Sequence, residues 1–148
     1  MLKIDECMSS SSNYDELSYN IKIIFSQFID EYNEINVKNN HIIDMIQISK
    51  EYISKHFSED ININDIANLL SVSPTYFSRL FKNEVGVPPI VYLTKYRLEK
   101  ACEYFNNSDF TVKEVSELCG YSDPFYFSKS FKSHTGISPK EYKLKVKV

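Results

Sequence analysis

Pro74-Thr75-Tyr76-Phe77-Ser78-Arg79-Leu80-Phe81-Lys82 and Pro124-Phe125-Tyr126-Phe127-Ser128-Lys129-Ser130-Phe131-Lys132 are two versions of one pattern, 50 residues apart. The same offset lays Gly86 over Gly136, Val87 over Ile137, Pro89 over Pro139 and Tyr92 over Tyr142. Upstream the offset is 49, with Asp65-Ile66 and Leu69 over Glu114-Val115 and Leu118. Self-similarity at a fixed spacing marks a repeated structural unit.

Each unit reads as a short helix, a turn of about three residues and a second helix, the helix-turn-helix layout. Asn62 or Asn64 can cap the first short helix, and Thr111 its counterpart. Ser73 caps the second helix of the first unit, with Pro74 in its first position; Ser122 or Asp123 does so for the second unit, with Pro124 in the first turn. Gly86 and Gly136 stop these helices. Phe77 and Phe81, like Phe127 and Phe131, are four apart and share one buried face. Ser78, Arg79 and Lys82, with Ser128, Lys129 and Lys132, fall on the opposite side. Between the units, Pro88-Pro89 opens a long helix to about Asn106. Ser138-Pro139 opens a last one, followed by the basic residues Lys143, Lys145 and Lys147. One helical hairpin with a charged face is common as plain structure. Two with the same cap, aromatic pair and Gly-x-x-Pro ending argue for a duplicated function.

Toward the N-terminus, Leu17, Ile21, Ile24, Phe25, Phe28, Ile29 and Tyr32 recur at three and four, one face of a helix over Tyr14–Tyr32. The Asn-rich stretch 33–40 reads as a break, and a second helix runs from about His41 to Phe57. Residues 1–13, with Ser9-Ser10-Ser11-Ser12-Asn13, read as a flexible end or linker. Glu31 interrupts the spacing of Leu17, Ile21, Ile24 and Phe28, so this helix is expected to pack on its own domain rather than on a second copy. The expected fold is all-α: two helix-turn-helix subdomains joined by a long linker helix, plus an extra N-terminal helix. Residues 1–40 form a linker-like segment and 41–148 a DNA-binding domain. Within it, the two units occupy about 62–86 and 111–136, and the linker helix about 89–106.

The totals fit. Three glycines in 148 residues and no tryptophan suit helices better than many-stranded folds. The net charge of −3 is unevenly spread: residues 1–40 hold three Lys/Arg against seven Asp/Glu, whereas 124–148 hold six Lys against one Glu. DNA binding needs a basic face, not a basic total. Cys7, Cys102 and Cys119 share no close spacing, which argues against a disulfide framework and a zinc site. His41, His56 and His134 are scattered, so nothing points to catalysis; no enzyme activity, metal or cofactor is expected. No apolar run approaches the ~18 residues of a membrane span.

Gly120-Tyr121-Ser122-Asp123-Pro124-Phe125-Tyr126-Phe127-Ser128-Lys129-Ser130-Phe131-Lys132, followed by Gly136-Ile137-Ser138-Pro139 and Tyr142, resembles the signature of the AraC/XylS family of bacterial transcription regulators. The resemblance extends through Ile66-Ala67, Ser73, Tyr76 to Lys82, Gly86, Tyr92, Arg97 and Ala101, over about residues 43–143. Two positions depart from the usual pattern. Val115-Ser116 stands where the family usually has Ile-Ala, and Ser116 is expected to bond its own helix backbone. Cys119 stands where a small aliphatic residue is usual, and is expected to pack as one. The unpaired cysteine pattern fits a reduced cytoplasmic compartment, and the resemblance implies an activator that binds double-stranded DNA and meets RNA polymerase. It leaves room for a further N-terminal regulatory domain or a second copy.

In helix-turn-helix proteins the second helix of each unit enters the major groove, its N-terminal residues at base edges. These are Pro74, Thr75, Ser78 and Arg79 in the first unit and Pro124, Phe125, Ser128 and Lys129 in the second. The resemblance implies the same positions. The Arg79 fork suits guanine, and Thr75 and Phe125 suit thymine methyls. Lys82, Lys132, Ser73 and Ser122, with Lys129 also, are phosphate-contact candidates. Arg97, on the linker helix, is expected in a structural ion pair. The competing reading is a helix-turn-helix-derived protein-interaction module, an adaptor or antagonist of another regulator.

Overall fold

The computed structural model describes the backbone of residues 4–146 and the side chains of residues 21–146. Among these residues there are seven helices and no strand: α1 Ile4–His56, α2 Ile63–Leu69, α3 Pro74–Val85, α4 Pro89–Asn107, α5 Val112–Leu118, α6 Pro124–Thr135 and α7 Pro139–Val146. The chain divides into two compact units, Met1–Asp44 and Met45–Val148. No helix among the described residues is long and apolar enough to cross a membrane.

The expected break at 33–40 is absent, because α1 runs through it. Nothing in Ile4–His56 is glycine or proline, so no residue there removes a backbone donor or favours a left-handed turn. Asparagine lowers helix propensity only slightly. Of the expected flexible end, residues 1–3 lie outside the described residues, and the backbone is helical from Ile4.

Caps set the register of the second compact unit. Asn62, not Asn64, caps α2: its Oδ1 accepts from the Asn64 and Asp65 amides at 2.8 and 3.2 Å, and the Asn62 amide donates to Asp65 Oδ2 at 2.8 Å. Thr111 and Glu114 form the same reciprocal box on α5, at 3.2 and 2.7 Å. At α6 the cap is Asp123, whose Oδ1 accepts from the Phe125 amide at 2.8 Å. A further box, absent from the sequence reading, joins Ser138 and Glu141 at the start of α7. Gly86 and Gly136 end α3 and α6 at φ 85° and 83°, their amides donating to the Lys82 and Lys132 carbonyls at 2.9 and 2.8 Å.

The repeat holds in three dimensions. Phe77 and Phe81 meet edge-on with centroids 5.6 Å apart, and Tyr92 joins Phe81 at 5.5 Å. Phe127 and Phe131 are likewise 5.6 Å apart, and Tyr142 joins Phe131 at 5.4 Å. Leu98, Ala101 and Phe105 of α4 complete the second core with Val115, Cys119, Tyr121, Phe127 and Phe131. Leu93, also on α4, is buried, as are Met45, Ile46 and Ile53 of α1. The linker helix is thus a structural member of the domain as well as a spacer.

Two expectations about single residues fail. Arg97 makes no ion pair among the described residues. Its Nε donates to the Phe57 carbonyl at 2.6 Å and its Nη2 to the Glu59 carbonyl at 2.7 Å, so it covers the C-terminal end of α1. The carbonyls left open where a helix ends attract a cation as a carboxylate would. Ser116 does not bond its own backbone: its Oγ is buried without a hydrogen-bond partner among the described residues. Ser49, equally buried in α1, does find its carbonyl four residues back, Met45, at 2.6 Å. Cys119 is fully buried, and burial pushes its thiol up to about 12, so it packs as a small apolar side chain.

Candidate nucleic-acid interface

α3 and α6 present the same pattern of exposure. Phe77 and Phe81 in one, and Phe127 and Phe131 in the other, are buried to the last atom. Ser73, Pro74, Thr75, Arg79 and Lys82 are exposed, as are Ser122, Pro124, Phe125, Lys129 and Lys132; Ser78 and Ser128 are partly exposed. The physical cause is the four-residue spacing of the phenylalanines, which rotates residues one and two positions later out of the core. The two helices differ inside at one position: Leu80 is buried where Ser130 is only partly so.

The polar groups are differently committed. Ser73 Oγ accepts from the Tyr76 amide at 3.2 Å, so its hydroxyl proton is still available to an anion. Ser122 carries no cap, because Asp123 takes that place. Ser128 donates to the Pro124 carbonyl at 2.8 Å, which leaves it an acceptor. Phe125 is 87% exposed, the most open large apolar side chain of the described residues. Packing on its own domain is therefore not what holds it.

The cations are equally informative. Ion pairs among the described residues tie Lys95 to Glu99, Lys100 to Glu103 and Lys113 to Glu117. Arg79, Lys82, Lys129 and Lys132 take no carboxylate among those residues. Asp123, at the start of α6, puts a negative charge where α3 has neutral Ser73, so the two helices are not electrostatically equal.

The sequence reading did not single out Tyr76 and Tyr126. Both are exposed, and they lie among the candidate residues of α3 and α6. Their signal was present, since neither falls at the spacing of the phenylalanine pair. Tyr126 also sits 6.1 Å from Tyr121, whose ring lies under the Arg97 guanidinium at 5.7 Å. Among the described residues no group of three or more His, Cys, Asp or Glu could hold a metal ion.

Comparison with known proteins agrees with this geometry. A family model described as a helix-turn-helix domain matches residues 66–145. No curated protein matches the chain. Among solved structures, the C-terminal domain of AraT, a response regulator from Geobacillus stearothermophilus, is 39% identical, with 68% of this chain and 84% of that one covered and a TM-score of 0.66. The C-terminal domain of the two-component response regulator yesN from Fusobacterium nucleatum is 28% identical, covering 66% of this chain and 95% of that one, with a TM-score of 0.63. The DNA-binding domain of the global transcriptional factor AdpA, solved with a target DNA, is 25% identical, covering 68% and 90% respectively, with a TM-score of 0.65. Two units of shared caps, shared aromatic triplets and outward-facing cations, together with these matches, lead to one conclusion: the chain belongs to the AraC-type helix-turn-helix family of DNA-binding transcription regulators.

Proposed function

We propose that the protein binds double-stranded DNA sequence-specifically, with α3 and α6 each entering a major groove, and so regulates transcription. The observation that carries this reading is the set of cations on the exposed faces of both helices that take no ion pair among the described residues, Arg79 and Lys82 on one and Lys129 and Lys132 on the other. Pro74, Thr75, Ser78 and Arg79, with Pro124, Phe125, Ser128 and Lys129, are the base-reading set. Lys82, Lys132, Ser73 and Ser122 hold phosphates. Family membership supports RNA polymerase as a partner, activation as the sign of control, a further regulatory domain, and a bacterial cytoplasm as the setting.

α4 has 19 residues, about 28 Å at ~1.5 Å per residue. Successive grooves on one DNA face are about 34 Å apart. The shortfall favours modest bending of the duplex, or weaker engagement by one helix. The acidic cap Asp123 makes α6 the weaker one. Selection of bound duplexes from a random pool at two salt concentrations tests the reading. Arg79→Ala should relax preference at one base pair, a discrimination of about 1–3 kcal/mol. Lys132→Ala should weaken all sequences alike and lower the salt slope by about 1. Absence of salt-sensitive duplex binding would favour the protein-interaction module instead.

A further inference from the structure

Residues 21–39 of α1 expose a continuous apolar stripe. Ile21, Phe25, Phe28, Tyr32 and Ile35, with Ile24 and Ile29 beside them, are each 45–65% exposed. All lie in the compact unit Met1–Asp44. The spacing that runs into Glu31 is not the one these residues follow. Phe25, Tyr32 and Asn39 are seven apart, and Ile21, Phe28 and Ile35 are seven apart, offset by three. These are the a and d positions of a heptad repeat, and Glu31 falls at g, on its flank.

We propose that this stripe is the seam of a parallel, in-register coiled coil with a second copy of the chain. The occupant follows from three features. The first is Asn39 at an a position, exposed and polar in an otherwise apolar series. A lone buried Asn at a pairs with its own counterpart across a two-stranded parallel seam and fixes register and strand number. The second is the flanks. Ile24 at g meets the partner's e position, occupied by Ile29, so both isoleucines beside the seam are covered; Glu31 meets Asn36, and no like charges oppose. The third is area. The three aromatic rings, at about 150–250 Å² each, leave on the order of 400 Å² open per chain. The isoleucines bring this toward the ~800 Å² per partner of a stable interface, beyond the few hundred Å² that monomers usually expose.

Sedimentation equilibrium of the whole chain, across dilutions up to about 100 µM, tests this. A dimer is expected. Phe28→Glu should weaken association at least about 100-fold while leaving the melting of the helix-turn-helix unit unchanged. Asn39→Val should tighten association and admit species larger than dimers. Ile21→Cys and Ile35→Cys, each with Cys7→Ser, should both form an interchain disulfide under mild oxidation, because only the parallel in-register pairing sets both of these positions against their own counterparts. A monomer at the highest concentration, or a dimer indifferent to Phe28→Glu, would overturn the proposal. A dimer in which Ile21→Cys or Ile35→Cys does not cross-link would overturn its register.

Discussion

Gly120 occupies the turn between α5 and α6, and replacing it with alanine should cost far more than the same change at Gly136. The two glycines share a left-handed backbone, with φ 75° and 83°. They differ in surroundings. A Cβ on Gly136 would meet nothing within 4 Å, whereas on Gly120 it would lie 2.8 Å from the Phe57 carbonyl oxygen and 2.9 Å from both the Ser58 backbone carbon and Arg97 Nη2. At Gly136 only the backbone penalty applies, about 1–2 kcal/mol. At Gly120 the backbone of residues 57–58 must also move, and it is held there by the Arg97 fork at 2.6 and 2.7 Å. Overpacking of this kind adds about 1–3 kcal/mol. Gly120→Ala is therefore expected to destabilise by about 3 kcal/mol and Gly136→Ala by about 1. Gly86→Ala, also with open space around it, serves as the second control. Urea unfolding followed by circular dichroism reads all three as shifts in midpoint at constant slope. If Gly120→Ala falls within about 0.5 kcal/mol of Gly136→Ala, ordinary experimental scatter for distant sites, the close approach of the turn to Phe57 and Ser58 is not a constraint.

Ser116→Ala should stabilise by about 1 kcal/mol, since the buried hydroxyl has no partner to lose; that is several degrees in a thermal melt of a domain this size, and a lower melting point would refute it. Arg97→Met should destabilise by about 2 kcal/mol, chiefly through the loss of two charge-assisted bonds to carbonyls, and a melting point equal to that of the parent chain would refute it. In native protein Cys119 should resist alkylating reagents, and it should react only on unfolding. Glu114 and Glu141 are held below the usual glutamate value by the amides of Thr111 and Ser138. Their folded values are depressed, so their stabilisation is complete above the unfolded value of 4.5 and is lost as pH falls through the lowered ones. Glu114→Gln should flatten the acid limb of the stability curve, and an unchanged limb would remove the box from the account.

Much of the fold was readable because its signals are local. Caps, proline at the first helical turn and left-handed glycine stops act within four residues, so the bounds of α3 and α6 followed from Ser73, Pro74 and Gly86, and from Pro124 and Gly136. The phenylalanine pairs gave the buried faces, and by subtraction the exposed ones, because side-chain direction in a helix depends only on spacing. What failed depended on distant partners or on the absence of a breaker. α1 runs through 33–40 because polarity alone does not stop a helix.

By itself the sequence determined that a capped, aromatic-centred helical pair occurs twice, and which side chains of each pair turn outward, since both follow from a 3.6-residue period and from hydrogen bonds made inside one turn. Only the tertiary structure decided that Arg97 closes the end of α1, 40 residues away in the chain, that Gly120 has no room for a Cβ, and that the Ser116 hydroxyl goes unpaired. Those outcomes depend on which backbone atoms arrive within 3 Å after packing, and no periodicity in the chain encodes them.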